Sequence, residues 1–259
     1  MQWFSGSINI EGQEFSLSEA IEVLRDKVTG ERMDKLNQII KHRSGRVVTV
    51  TESLYDRGNL SAVMRSAEAF GFYDFRIIEN PEDKFKTANR ASMGTDKWLK
   101  ITKYRESAQA IKDLKDQGFR ILTTDLDSRV SIEEVDFSVP SAIVLGNEKH
   151  GISSEMKKAS DLSFKIPMVG FAQSFNISVA AALSFQVARS QLGYLFREQT
   201  ILEPNSESYT TDHNLNAIEL KANYLLRSVD RSQEILYHSR RSASQRPASG
   251  TTLHQISMN

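Results

Sequence analysis

An α/β fold, with a largely parallel sheet covered by helices on both faces, is what this 259-residue chain predicts. Three observations carry the prediction. Short β-branched and aliphatic runs recur along the chain, the stretches between them space their apolar residues as helices do, and glycines close several of those stretches. Strands that alternate with helices build parallel sheets, because a parallel crossover needs a connection about as long as a helix.

Taken in order, residues 1–30 read as an appendage. Leu17, Ala20, Ile21, Leu24 and Val28 recur at helical spacing behind Ser16, a suitable cap. A second helix is expected over about 31–43, with Met33, Leu36, Ile39 and Ile40 on one face. Val47-Val48-Thr49-Val50-Thr51 is β-branched and reads as a buried strand. Asn59 to Phe70 reads as a helix closed by Gly71. Further strands are expected at 75–79, 119–124, 142–145 and 162–166. Helices are expected at 104–117, closed by Gly118, and from Asn176 to about Arg197.

Beyond Arg197 the character changes. Pro204-Asn205-Ser206 reads as a linker, and Leu215, Ile218, Leu220, Leu225, Leu226 and Val229 suggest one more helix. From Ser239 onward the chain is serine-rich, carries Arg240, Arg241 and Arg246, and has no acidic residue, so it reads as a disordered, solvated tail. The expected division is a helical extension over 1–46, a central α/β domain over 47–200, and a C-terminal helix with its tail over 201–259. Hydrophobic residues make up 39% of the chain, which agrees with polar extensions around an ordinary core.

Composition narrows the chemistry. The formal net charge is zero, so a nucleic-acid partner would have to be met by local patches. Lys84, Lys86, Arg90, Lys97, Lys100, Lys103 and Arg105 form one such cluster, set against Asp96 alone. Arg32, Lys35, Lys41, Arg43 and Arg46 form a second. Each is either a solvated face or a set of phosphate contacts. The absence of cysteine excludes disulfides, thiolate metal sites and cysteine nucleophiles together. No cationic segment runs into an apolar stretch near Met1, and no stretch is apolar enough to span a bilayer. A cytoplasmic protein with no membrane partner is therefore expected.

Three segments carry candidate chemistry. In the first, Gly58-Asn59-Leu60-Ser61-Ala62-Val63-Met64-Arg65, the residues Leu60, Val63, Met64 and Ala67 make one helical stripe, with Arg65 and Glu68 on another. Read alone, Asn59 is a helix cap. Arg65 could pair with Glu68, a contact worth only about 0.2–0.5 kcal/mol. In the second, Val144-Leu145-Gly146-Asn147-Glu148-Lys149-His150-Gly151, a strand runs into a glycine-rich turn. The C-terminal ends of parallel strands are where ligands bind in such sheets, and glycine lets backbone approach closely. Glu148 alone would be an ordinary surface carboxylate. In the third, a strand ends at Ile166-Pro167-Met168, and Ser174-Phe175-Asn176 opens a helix of small residues, Ser178-Val179-Ala180-Ala181-Ala182. Asn176 is again a good cap.

In this order and spacing the three segments resemble the motifs of the SpoU/TrmH branch of the SPOUT RNA 2′-O-methyltransferases, and within it the tRNA guanosine-2′-O-methyltransferase subgroup. The resemblance covers about residues 33–200 and adds Phe119 to Leu126, similar to a strand and loop bordering the family's cofactor site. Two departures stand out. Arg57-Gly58 precedes the first asparagine where the family often has Pro-His or Pro-Gly, and Phe175 stands where leucine is usual.

The resemblance implies a C-terminal trefoil knot holding S-adenosylmethionine, with Thr124, Gly146, Ile166, Met168, Ser174 and Phe175 lining its pocket. It assigns the leading catalytic part to Arg65, with Asn59, Glu148, Ser174 and Asn176 completing the site. The acceptor would be a ribose 2′-hydroxyl of RNA, and guanosine 18 of tRNA is the implied target. The donor is a sulfonium, so no metal is expected. A homodimer is implied, joined at the knotted region. Lys84, Lys86, Arg90, Lys97, Lys100, Arg43 and Arg46 would then contact RNA. Two other readings remain: the same chemistry on ribosomal RNA, and a knotted RNA-binding protein without catalysis. A nicotinamide dehydrogenase is disfavoured, because no Gly-x-Gly-x-x-Gly turn joins an early strand to a helix.

Overall fold

The computed structural model of the chain describes residues 2–79, 94–198 and 216–244. It opens with strands β1 (Ser7–Ile10) and β2 (Gln13–Ser16) and helices α1 (Leu17–Arg25) and α2 (Gly30–Lys41). Then come β3 (Val47–Glu52), α3 (Arg57–Ala69), β4 (Asp74–Ile78), β5 (Lys100–Tyr104), α4 (Ser107–Asp116) and β6 (Arg120–Thr124). The chain continues through β7 (Ser141–Leu145), α5 (Ser154–Ala159), β8 (Leu162–Phe164), α6 (Ile177–Glu198), α7 (Ala217–Ser228) and α8 (Ser232–Ser244). These elements divide into two compact units. One lies within residues 38–217, and the other combines 2–37 with the described residues from 218 onward.

The larger unit has the expected α/β architecture. Its six strands are all parallel, in the order β5-β4-β3-β7-β6-β8. β3 is central and buried at every position, which suits its unbroken β-branched sequence. Each face of the sheet has its own core. On one, Val47, Phe75, Ile77, Leu122, Ile143, Leu145 and Phe164 pack with Val63, Met64 and Ala67 of α3 and with Ala181, Phe185 and Ala188 of α6. On the other, Val48, Val50, Ile121, Ala142 and Val144 pack with Ala110 and Leu114 of α4 and Met156 of α5. Alternate residues along each strand thus face opposite helix layers.

Two local features fix the approach to this sheet. Gly71 ends α3 in the left-handed region, φ +85°, and a Cβ there would lie 2.4 Å from the His42 carbonyl oxygen. Only glycine fits so close to that backbone. Arg76 of β4 is buried, and its guanidinium reaches Asp113 at 2.9 Å, Asp74 at 3.2 Å and Gln117 at 2.8 Å. It therefore ties β4 to α4. Burial and the hydrogen bond to Asp113 push the Tyr104 phenol well above its ordinary range, so it stays protonated beside this cluster.

The smaller unit departs from the expectation of two separate extensions. β1 and β2 form an antiparallel hairpin around Glu11 and Gly12, both at positive φ. Ile8, Ile10 and Phe15 alternate into its core. Ser16 caps α1 in a reciprocal box with Glu19. Buried Asn223 of α7 accepts from the Phe4 backbone amide at 3.0 Å and donates to the Phe4 carbonyl at 2.7 Å. Residues from Ser239 to Ser244, read as tail, belong to α8. Arg240 is engaged there by Glu19 at 2.8 Å and lies over the Phe15 ring. Arg246 and the linker at 204–206 fall outside the described residues.

Other boundaries differ in instructive ways. β5, Lys-Ile-Thr-Lys-Tyr, is an edge strand that the sequence reading did not assign; it takes Tyr104, where the expected helix began, so α4 starts at Ser107, and its lysines suit the sheet's edge. Strand β8 stops at Phe164, two residues short of the expected Ile166. No helix among the described residues is long and apolar enough to cross a membrane. Replacing Gly71 by alanine is expected to destabilise the larger unit by roughly 2 kcal/mol or more, read as a lower urea midpoint with unchanged near-native spectra before the transition.

Candidate active site

Parallel strands send all their following loops to one edge, and here those loops enclose a cleft of about 560 Å³. It is lined by Thr124, Asp125 and Leu126 after β6, by Gly146 to Ile152 after β7, by Phe164 to Ile166, and by Ser174 to Ile177 with Ala180. The size is ordinary for a small-molecule pocket.

The turn after β7 is built tightly. Asn147 and Gly151 exchange backbone hydrogen bonds of 2.9 and 2.8 Å. The Asn147 side chain accepts from the Lys149 and His150 amides at 2.8 and 3.0 Å and donates to the Ser53 carbonyl at 2.5 Å. A Cβ at Gly146 would lie 2.5 Å from the Gly151 carbonyl carbon. Gly146 is therefore required by the turn itself, before any ligand is considered.

Beneath this turn lies Glu52, the last residue of β3, buried and, among the described residues, accepting only from uncharged donors. Its carboxylate accepts from the Ser153 amide at 2.8 Å, the Ser153 hydroxyl at 2.7 Å and the Ser107 hydroxyl at 2.6 Å. Ser153 caps α5, and Ser107 begins α4. One carboxylate thus holds the end of the cleft turn and the starts of two helices.

The three sequence segments meet at the mouth of the cleft through their side chains. Asn59 Nδ2 donates to Glu148 Oε1 at 2.9 Å, and Asn176 Nδ2 donates to Asn59 Oδ1 at 3.1 Å. Asn176 Oδ1 in turn accepts from the Ser178 amide and hydroxyl at 2.9 and 2.6 Å, so Asn176 caps α6 as expected. The second Glu148 oxygen accepts from the Tyr55 amide at 3.2 Å. Donation therefore runs one way, from Ser178 through Asn176 and Asn59 to Glu148. Each bond polarises the next, and each amide keeps a second N–H to offer.

Asn59 is not a cap. Asp56 occupies that position and accepts from the Gly58 amide at 2.6 Å. This leaves Asn59 inside the first turn of α3 with its amide directed at Glu148.

Of the remaining predicted residues, Thr124, Gly146, Ile166, Ser174 and Phe175 line the cleft, whereas Met168 is half-buried on the following loop and does not. Arg65 is exposed on α3 and lies about 120° around the helix from Asn59. It is not among the cleft-lining residues.

The basic residues separate. Arg43 does not present a surface charge. It is buried, with Glu68 Oε1 at 2.5 Å and the Glu68 carbonyl at 2.7 Å, and so ties the segment before β3 to the end of α3. Arg46 donates to the Ser138 carbonyl at 2.7 Å. Lys97 is exposed over the Trp98 ring, and Lys100 is half-buried. Lys84, Lys86 and Arg90 lie outside the described residues.

Glu52 and Asp125 were not singled out from sequence. Asp125 lines the cleft, and the Asp127 amide and the Lys157 ammonium hold its carboxyl below the usual carboxylate range. The sequence signal for Glu52 was position alone, one residue beyond a predicted strand, whereas Asp125 lay within the Phe119–Leu126 stretch that resembles a border of the family's cofactor site. Among the described residues no group of His, Cys, Asp and Glu side chains has the arrangement of a metal site.

Comparison with known proteins gives the chain's family and fold. The SpoU rRNA Methylase family model matches residues 46–186. The tRNA (guanosine(18)-2′-O)-methyltransferase of Borreliella burgdorferi is 33% identical over 184 residues, covering 69% of this chain and 84% of that one. Among solved structures, the A. aeolicus TrmH/SpoU tRNA modifying enzyme superposes with a TM-score of 0.64 at 25% identity, covering 84% of this chain and 98% of that one. The AdoMet-bound rRNA methyltransferase from Sinorhizobium meliloti superposes with a TM-score of 0.53 at 25% identity, covering 58% of each chain.

Two outcomes are expected. Glu52→Ala strands three donors and should cost at least about 2 kcal/mol, seen in urea unfolding. Asp125 contributes stability above the ordinary carboxylate pKa, and that contribution is lost as pH falls through its depressed value. Asp125→Asn should flatten that part of the acid decline in a series of melting curves.

Proposed function

Since the chain belongs to the SpoU rRNA Methylase family, we propose that it transfers a methyl group from S-adenosylmethionine to a ribose 2′-hydroxyl of RNA, with guanosine 18 of tRNA as the acceptor. The observation that carries this reading is the continuous chain of hydrogen bonds from Asn176 through Asn59 to Glu148 at the rim of the cleft. It joins all three motif segments at one point. The relatives named for guanosine-18 methylation cover most of this chain, which favours tRNA over ribosomal RNA.

The cleft suits the cofactor. It offers turn backbone at Gly146 and beyond, apolar walls at Ile152, Phe164 and Ile166, and an ionised carboxylate at Asp125 that favours a cationic or hydroxyl-bearing ligand. S-adenosylmethionine, when bound, supplies an electrophilic methyl group. The protein's part is to place the acceptor oxygen and to manage its proton. In this reading the Asn59 amide and the Glu148 carboxylate orient the ribose, and their fixed direction of donation keeps the site from having to reorganise as charge develops. Ser174 and Asn176 frame the entrance. Arg65 meets the acceptor strand as a fixed cation, holding a phosphate and stabilising the developing alkoxide.

The trefoil knot belongs to the same proposal. Support comes from the placing of β8 outside β6 while the loops after β6, β7 and β8 return to one cleft. A homodimer also belongs to it. Val179 and Leu183 stand one turn apart on α6, and Val169 and Phe171 precede them. All four are exposed, and apolar surface of that extent calls for cover. A cytoplasmic location completes the reading.

The test is transfer of labelled methyl groups to unmodified tRNA and, separately, to ribosomal RNA, followed by nucleoside mapping. The expected product is 2′-O-methylguanosine in tRNA. Methylation of ribosomal RNA alone would overturn the substrate, and transfer to neither would overturn the enzyme. Arg65→Ala is expected to lower turnover by at least about a hundredfold while leaving cofactor binding, measured by calorimetry, within a factor of about two.

A further inference from the structure

Tyr55 sits on the loop between β3 and α3 with 69% of its surface exposed. An aromatic ring in water on a loop is usually loose, but this one is held. Its backbone amide donates to Glu148, the carboxylate that also takes Asn59, and Leu54 beside it is buried. The Lys149 ammonium lies over the ring, 5.5 Å from its centroid. Lys149 lines the cleft, whereas Tyr55 does not. The ring therefore stands just outside the small-molecule pocket, anchored to the same group that orients the proposed acceptor, with a cation on one side.

We propose that Tyr55 and Lys149 form a nucleobase-stacking subsite for the RNA substrate, next to the acceptor ribose. This rests on the RNA methyltransferase reading above. A base of the acceptor strand stacks on the Tyr55 ring, and the Lys149 ammonium meets an adjoining phosphate. Three features favour RNA as the occupant. A platform for the cofactor's adenine would line the cleft, and Tyr55 does not. A ring held by its own backbone loses little entropy on stacking. The ammonium beside it supplies the charge that a phosphodiester needs where Asp56 and Glu148 would otherwise repel it.

The test compares Tyr55→Ala, Tyr55→Phe and Tyr55→Trp with the wild-type chain on one unmodified tRNA transcript. Tyr55→Ala should raise KM for the RNA about tenfold to a hundredfold. It should leave S-adenosylhomocysteine affinity unchanged, and Tyr55→Phe should restore KM because the stacking face is kept. The Tyr55→Trp variant should show an emission change on RNA binding beyond that of wild type, which a merely structural role would not give. Wild-type transfer with unaltered KM in Tyr55→Ala would overturn the subsite alone. A loss in Tyr55→Ala that tracks a changed oligomeric state, or no emission change at saturating RNA, would overturn it as well. Absence of transfer by the wild type would instead overturn the reading on which it rests.

Discussion

The parallel register of β3 against β7, with Thr51 opposite Leu145, is the constraint on which the site depends. It brings the ends of two strands out of the sheet side by side, so that Glu52 and Ser53 meet the turn that begins at Gly146. Every cross-link of the cleft mouth follows from that neighbourhood: Glu52 to Ser153, Asn147 to the Ser53 carbonyl, and Tyr55 and Asn59 to Glu148. A slip of one residue would turn the Glu52 side chain to the opposite face and separate these partners. Val47 in one core and Val48 and Val50 in the other oppose such a slip, which would also carry the Glu52 carboxylate to the face of Val47. Packing in the interior thus sets the geometry of polar groups at the edge.

What was legible in the sequence was periodicity. The β-branched run of β3 and the amphipathic stripe of α3 announced themselves, as did the strand-to-turn character of Val144 to Gly151, because each is a local pattern with a local cause. What was not legible was choice among local options. Asp56 and Asn59 are both good caps three positions apart, and nothing nearby decides between them. The decision comes from Glu148, 89 residues away, which claims the Asn59 amide. Arg43 read as part of a basic cluster because charge in sequence carries no information about burial; its partner Glu68 lies on another element. Glu52 follows directly on the predicted strand with nothing local to mark it, and its role appears only when serines 55 and 101 positions away converge on it. The serine-rich stretch to Ser244 is helical despite its composition, since Leu236 is buried and Arg240 is held by Glu19.

The two kinds of buried charge in the larger unit divide the labour. Arg76 has its counter-charges from Asp74 and Asp113 and joins a strand to a helix on the outer part of the sheet, far along the order from β8. Glu52 has no cation beside it among the described residues and depends on aligned hydroxyl and amide donors, so its energy is sensitive to small displacements of the loops it holds. The first arrangement gives rigidity to the scaffold. The second makes the integrity of the cleft turn and that of the sheet edge a single property.

The place of β3 in the sheet also bears on how the chain is made. One edge of β3 pairs with β4, which follows within a few tens of residues, but the other waits for β7, with Val47 meeting Ser141 94 positions later. At a synthesis rate of roughly 5–20 residues per second, that edge stays open for about 5–20 s on every nascent chain. During that interval a strand that is buried at every position in the finished domain offers an unsatisfied row of amides and carbonyls to any neighbour. The same centrality that protects β3 in the finished protein makes it the segment most in need of shelter at the ribosome.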